Sequence, residues 1–191
     1  MPALARVLAR AFLAEPSTAW LLPDEQSRLQ RLERSFTAYL RHIYLPLGHC
    51  YTTDRVAGGA IWAPPGRWRV GLRRELMVLP ATVRAYGRWM PRLIRSGAVD
   101  ERHHPENPPH WYLALLGVEP DAWGRGLGSE LLRPVLDRSD STGTPCYLET
   151  LDPRARALYE RNGFEVRGEH TYPGSGLQIF RMWREPRLAR P

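Results

Sequence analysis

The chain has no lysine; all 27 of its cationic side chains are arginine. That absence removes Schiff-base and lysine-nucleophile chemistry, and with it the Gly-Lys pair that a P-loop requires. Cysteine is nearly as scarce. Cys50 and Cys146 stand far apart, form no metal-ligand spacing and suit a reduced, cytoplasmic protein. No apolar run approaches the roughly 20 residues that cross a bilayer, so no membrane span is expected. The pair His103-His104, with His110 nearby, invites a metal, yet no third ligand stands at metal spacing and none is expected.

What remains is a chain of 191 residues with 43% hydrophobic content, enough for one domain over 1–191 with a full core. A net charge of +7 and a pI near 10.0 favour anionic partners. A phosphate-bearing coenzyme is one. Nucleic acid is another, although the aromatic residues are not laid out as a stacking platform.

The chain is organised around Trp111–Leu132, WYLALLGVEPDAWGRGLGSELL. An apolar run long enough for a buried strand is broken at Pro120. Gly124, Gly126 and Gly128 follow at alternate positions, and Ser129-Glu130-Leu131-Leu132 opens a helical pattern. A strand, a glycine turn and a helix N-terminus together make an anion site, because the first N–H groups of the helix have no intrahelical partner and point at the ligand. A dinucleotide-binding G-x-G-x-x-G fits less well. Ser129 occupies the third glycine's place, although Glu149 lies about twenty residues on, where such a motif has an acid. A plain connecting turn would not need three glycines.

The same residues resemble the coenzyme-binding motif of the GNAT N-acetyltransferase superfamily, at Val118-Glu119-Pro120 and Arg125-Gly126-Leu127-Gly128. Trp123 stands where the family has Gln or Arg. A second signature follows in YLETLDPRARALYERNGF, ending at Leu158, Tyr159, Gly163 and Phe164, with Ala155 where many members have Asn. Upstream, Ala11-Phe12, Pro16, Trp20 and Trp62-x-Pro64-Pro65-Gly66 resemble the subgroup that includes puromycin N-acetyltransferase.

The resemblance implies an α/β (α+β) fold: a mixed, mostly antiparallel sheet with helices on both faces and splayed central strands at 111–118 and 146–150. It implies an acetyl-CoA-dependent N-acetyltransferase acting on a small-molecule primary amine by direct attack on the thioester. Leu116, Gly117 and Val118 would hold the pantetheine arm; Arg125, Gly126, Leu127, Gly128 and Ser129 would hold the pyrophosphate. Tyr159 is the expected general acid. Glu149 is the first candidate for the base, Glu119 the second and His110 the third. Protein or aminoacyl-tRNA amines are the alternative acceptors, a non-catalytic acyl-CoA-binding protein is the alternative function, and a homodimer stays open.

Periodicity supplies the remaining elements. Helices are expected at 3–14, 25–44, 127–138 and 153–161, with Pro134 kinking the third. The first of these could be misread as a transit peptide, but its pattern is that of an amphipathic helix. Strands are expected at 50–53, 56–63, 164–170 and 177–183. Residues 16–23 and 102–109 read as loops, with Ser17, Thr18 and Trp20 beside the acceptor by resemblance. A helical insertion at about 67–97, broken near Pro80 and Pro91, would form a wall or lid. A frayed tail is expected from 185.

Overall fold

A computed structural model of the chain describes residues 1–187, so 188–191 of the expected tail lie outside it. Helices α1 (Pro2–Phe12), α2 (Pro16–Leu21) and α3 (Glu25–Tyr39) lead into a strand pair, β1 (Cys50–Thr52) and β2 (Gly58–Ala63). Two more helices follow, α4 (Leu72–Tyr86) and α5 (Met90–His103). Then come β3 (Trp111–Val118), α6 (Leu127–Thr142), β4 (Cys146–Thr150), α7 (Pro153–Arg161), β5 (Glu165–Thr171) and β6 (Gln178–Arg184). The sheet order is β1-β2-β3-β4-β6-β5, and every neighbouring pair is antiparallel except β3 with β4.

One face of the sheet carries α6 and α7. Leu131, Leu132, Val135 and Leu136 of α6 pack on Ala60, Trp62, Trp111, Leu113, Cys146, Leu148 and Met182. Helix α1 covers the opposite face, where Leu4, Ala5 and Leu8 meet Ile61. Leu8 is fully buried, a burial worth about 2 kcal/mol for such a side chain. The close approach of α1 depends on glycine: a Cβ at Gly117 would lie 2.9 Å from Leu8 Cδ2 and 3.0 Å from Ala11 Cβ.

The splay of the central strands has a visible cause. Ile61 and Trp62 pair with Leu115 and Leu113, so Ala114 is an extra residue in β3, a bulge. The side-chain alternation flips there. Leu113 faces α6, and Leu115 faces α1. The parallel pairing of β3 with β4 ends at the same point, with Leu113 opposite Leu148. Strand β3 continues along β2 to Val118 while β4 continues along β6 to Thr150. The sheet therefore opens between them.

Several boundaries differ from the sequence reading. Residues 16–21 form a helix rather than a loop, with Pro16 in its first turn, where the missing N–H costs nothing. The α-helix expected to reach 44 gives way to a π turn at Leu40–Tyr44. Pro80 does not break its helix. It sits inside α4 on the exposed side, where water can take the orphaned carbonyl. The break comes at Gly87, whose φ is +48°, and α5 runs on to His103 through part of the expected loop. Pro134 does not interrupt α6, which continues to Thr142.

Candidate active site

Helix α6 begins at Gly126, whose φ of +80° needs glycine; Gly124 has φ +76°. An added Cβ at either would meet nothing within 4 Å, so both face open space. The first helical bond is Glu130 N–H to Gly126 O at 3.1 Å. The N–H groups of Leu127, Gly128 and Ser129 precede it and have no acceptor within the helix, a helix end of the kind that suits an anion. Arg125 is exposed beside them.

Gly128 has a second duty: its Cβ would lie 2.8 Å from Leu158 Cδ2, so it lets α6 press on α7. The Ser129 hydroxyl accepts a bond from Asn162 Nδ2 at 3.0 Å. A cavity of about 240 Å3 lies beside it, lined by Arg133 and Arg161 among others. Neither arginine has an ion-pair partner among the described residues.

At the end of β3, Leu116 and Val118 pack on the α6-side core. Trp123 replaces the expected polar residue and turns back on the strand. Its Nε1 donates to Val118 O at 2.9 Å, and Arg154 lies over its ring at 5.0 Å. The Val118 carbonyl is therefore already engaged.

The three candidate bases are placed very differently. Glu119 faces Arg10, with Nε 3.0 Å from Oε2, a charge contact not aligned as a hydrogen bond. His110 is buried and committed. Its Nδ1 bonds Pro108 O at 2.8 Å and its Nε2 meets His104 Nε2 at 3.0 Å. Burial lowers the His110 pKa, and burial beside His110 and Arg69 pushes His104 down to about 3. Both rings are neutral members of an aromatic cluster with Trp68, Tyr112, Tyr147 and Trp183.

Glu149 stands alone among the three. It lies on β4 beyond the last β3–β4 pair, on the face opposite Leu148. The Tyr147 hydroxyl donates to its Oε1 at 2.7 Å. Burial first, and then the neighbouring Asp100 carboxyl, push its pKa up to about 8. Asp100, from α5, accepts from Tyr172 at 2.9 Å and from His170 Nε2 at 3.2 Å. Burial also raises Asp100 and pushes His170 down to about 4. The neutral His170 ring, donating through Nε2, leaves Nδ1 buried with no partner among the described residues; Arg181 Nε is the same.

Asp100, Glu149 and His170 present one ligand atom each within 4.8 Å of one another. Trp20 of α2 stacks on Tyr172 at 6.1 Å, so α2 does border this cluster. Ser17 and Thr18 instead bond Glu15, at 3.1 and 3.5 Å. Burial raises the Glu15 carboxyl to about 7.

Tyr159, on α7, is buried and meets Phe164 edge to face at 5.9 Å. Burial raises its phenol above its ordinary value, with Glu15 and Asp152 adding to the effect. It therefore stays protonated at neutral pH.

Sequence reasoning missed Asp100, His170 and Tyr172, which come from an insertion and a strand end with no motif around them. Tyr147 was within reach: two residues before Glu149 on a strand, it must share its face.

A family model described as the acetyltransferase (GNAT) family matches residues 10–164. An uncharacterized N-acetyltransferase of Schizosaccharomyces pombe is 26% identical over 173 residues, covering 84% of this chain and 68% of that protein. The 5-NmdU N-acetyltransferase of Pseudomonas phage PaMx11 is 33% identical over 75 residues, 39% of this chain and 53% of the phage protein. Among solved structures, one from Corynebacterium glutamicum described as histone acetyltransferase HPA2 and related acetyltransferase has a TM-score of 0.70. It is 26% identical and covers 100% of this chain and 92% of its own. No helix among the described residues is long and apolar enough to cross a membrane. The chain belongs to the GNAT acetyltransferase family and is an acyltransferase.

Proposed function

We propose that the protein transfers an acetyl group from acetyl-CoA to a primary amine of a small molecule. One observation carries this reading: the gap between β3 and β4, with Glu149 on its wall. Beyond Leu113 the edge of β3 that faces β4 has no ladder partner, and backbone polar groups need one. The amides of a pantetheine arm supply such partners. At the α6 end, the N–H groups of Leu127, Gly128 and Ser129 take the diphosphate, beside a turn whose positive φ at Gly124 and Gly126 calls for glycine.

The amine nitrogen attacks the thioester carbon directly, so no acyl-enzyme and no Ser or Cys nucleophile is needed. Glu149 takes the amine proton as the C–N bond forms. The C–S bond breaks, and Tyr159 supplies a proton to the departing sulfur. A main-chain N–H near Gly117 would face the developing oxyanion, a contact typically worth about 3 kcal/mol. Glu119, whose carboxylate faces Arg10, is the second candidate.

A small acceptor is favoured because Trp20, Tyr147 and Tyr172 crowd the acceptor end and α5 walls it. The resemblance to the puromycin N-acetyltransferase subgroup points the same way, although its Trp62 lies in the core. Protein or aminoacyl-tRNA amines form the second reading. The +7 charge and the histone acetyltransferase description of the C. glutamicum structure favour it.

Thiol release from acetyl-CoA, measured against a panel of small primary amines, histone peptides and aminoacyl-tRNA, is the test. Turnover of a small amine in preference to the macromolecules is expected. Turnover of macromolecules alone would replace the reading with the second one, and bound coenzyme with no turnover of any amine would refute both.

A further inference from the structure

Helix α5 belongs to the insertion between β2 and β3, yet it carries one side chain to the acceptor end of the sheet. Asp100 and Glu149 bring carboxylate oxygens within 4.8 Å of each other, from elements far apart in sequence. The two acids are held differently. Asp100 accepts two hydrogen bonds, from Tyr172 and His170, while Glu149 accepts one, from Tyr147. Two donors favour the charged form of Asp100. Two buried like charges this close are mutually unfavourable, so the proton remains on the less supported partner.

We propose that Asp100 is a positioning residue for the acetyl transfer: its carboxylate, held by Tyr172 and His170, strengthens Glu149 as a base and draws the acceptor in as a primary ammonium ion. The proposal rests on the acetyl-transfer reading above for its catalytic consequence. A solvated glutamate is too weak a base to take a proton from an alkylammonium group. One beside a second carboxyl that ionises first holds its proton to higher pH, and so accepts one more readily near neutrality. A bound ammonium ion favours the pair with both carboxylates charged, so the proton on Glu149 passes to water and Glu149 is free to take one from the acceptor. The hydroxyls of Tyr147 and Tyr172 hold the two carboxyls in place.

Every neighbouring element contributes a group to the electrostatics. Tyr147 and Glu149 come from β4, Arg181 from β6, and His170 from β5, with Tyr172 just beyond it. Tyr112 comes from β3, and His103, stacked on His170 at 4.6 Å, from α5 itself. Glu15 acts on Tyr172 from the turn before α2. Arg181 opposes the effect of Asp100 on Glu149, and burial with Asp100 outweighs it.

The experiment follows the Glu149 carboxyl directly, by carbon NMR of side-chain-labelled glutamate across pH 4 to 10, assigned with Glu149→Gln. It is paired with the pH profile of kcat/KM for a simple alkylamine. Asp100→Asn should lower the Glu149 ionisation by about one pH unit or more and carry the acid limb of the rate profile down with it. Coenzyme affinity should stay unchanged. Tyr172→Phe removes one donor from Asp100 and should shift the same resonance in the same direction by less, which keeps the test available if Asp100→Asn folds poorly. A Glu149 titration identical in wild type and both variants overturns the proposal. So does a titration that collapses on adding a chelator, because Asp100, Glu149 and His170 would then be holding a metal. The NMR arm needs no turnover, so failure of the acetyl-transfer reading shows separately, as no thiol release with any amine.

Discussion

Replacing Glu149 by Gln tests the energetics of the site without any substrate. The side chain is half-buried, and its carboxyl is displaced from the 4.5 of a solvated glutamate up to about 8. A displacement of that size corresponds to roughly 4 to 5 kcal/mol between the two protonation states, at about 1.4 kcal/mol per pH unit. Local relaxation reduces it, so on the order of 2 to 4 kcal/mol is expected. The sign follows from linkage. A carboxyl raised in the folded state binds its proton there while the unfolded chain has lost it. Folding stability is therefore intact below about pH 4.5 and falls as pH rises toward 8. Above that value the loss is constant. Glutamine cannot ionise, and its amide oxygen still accepts the Tyr147 hydroxyl. Glu149→Gln should match wild type near pH 4.5 and exceed its stability by about 2 to 4 kcal/mol at pH 9. Urea unfolding at pH 4.5, 7 and 9 reads the difference. Glu15 and the neutral histidines are present in both proteins, so to first order their own pH dependence cancels; Asp100 lies within 4.8 Å of Glu149, and its easier ionisation beside glutamine adds to the difference in the same direction. Parallel stability curves would show that Glu149 carries an ordinary carboxylate, and the choice of base would fall with it.

Three other substitutions separate the parts of the site. Tyr159→Phe keeps the edge-to-face packing on Phe164 and removes only the phenol proton, so turnover should fall by roughly 100-fold with coenzyme affinity retained; unchanged turnover removes Tyr159 from the chemistry. Gly126→Asp places a side chain and a negative charge in the cradle at a φ of +80°, and should weaken coenzyme binding in calorimetry by at least about 100-fold; retained affinity refutes the placement of the diphosphate. Gly117→Ala forces a Cβ against Leu8 and Ala11, and a loss of about 1 to 3 kcal/mol is expected in urea unfolding. A neutral result would mean that α1 is not packed on β3 as described.

The sequence was most informative where local chemistry decides structure. The strands 111–118 and 146–150 and the helix 153–161 match the observed elements residue for residue, because apolar runs, Pro120, Pro153 and Gly163 mark their limits. The glycine turn was equally legible, since a positive φ at Gly124 and Gly126 demands the residue type. Motif logic failed for roles that depend on distant packing. Gly117 and Gly128 read as ligand positions, and they also serve contacts with Leu8 and Leu158 that no local pattern announces. The insertion read as a generic wall because its functional side chain, Asp100, sits alone on α5 and acquires meaning only against β4 and β5. Pro80 misled for the opposite reason. Pro80 lies on the exposed side of α4, where water can take the carbonyl that its missing N–H frees.

The opening in the sheet ties these observations together. A parallel pair such as β3 and β4 would normally stay zipped to its end, since each unpaired buried backbone group costs on the order of 1 to 3 kcal/mol. Here the two strands part after three residue pairs, and each stays bound to its other neighbour. The bulge at Ala114 turns β3 away, and the pull of α1 on Gly117 keeps it there. Trp123 satisfies one of the orphaned carbonyls, at Val118, from outside the sheet. The groups between Ala114 and Gly117 gain no such partner from β4, and Glu149 lies on β4 beyond the last β3–β4 pair. On the proposed reading, the amides of a coenzyme arm would complete the hydrogen bonding on the side of β3 that β4 leaves open. This is why the coenzyme arm, rather than the acceptor, is expected to stabilise the two central strands against hydrogen exchange.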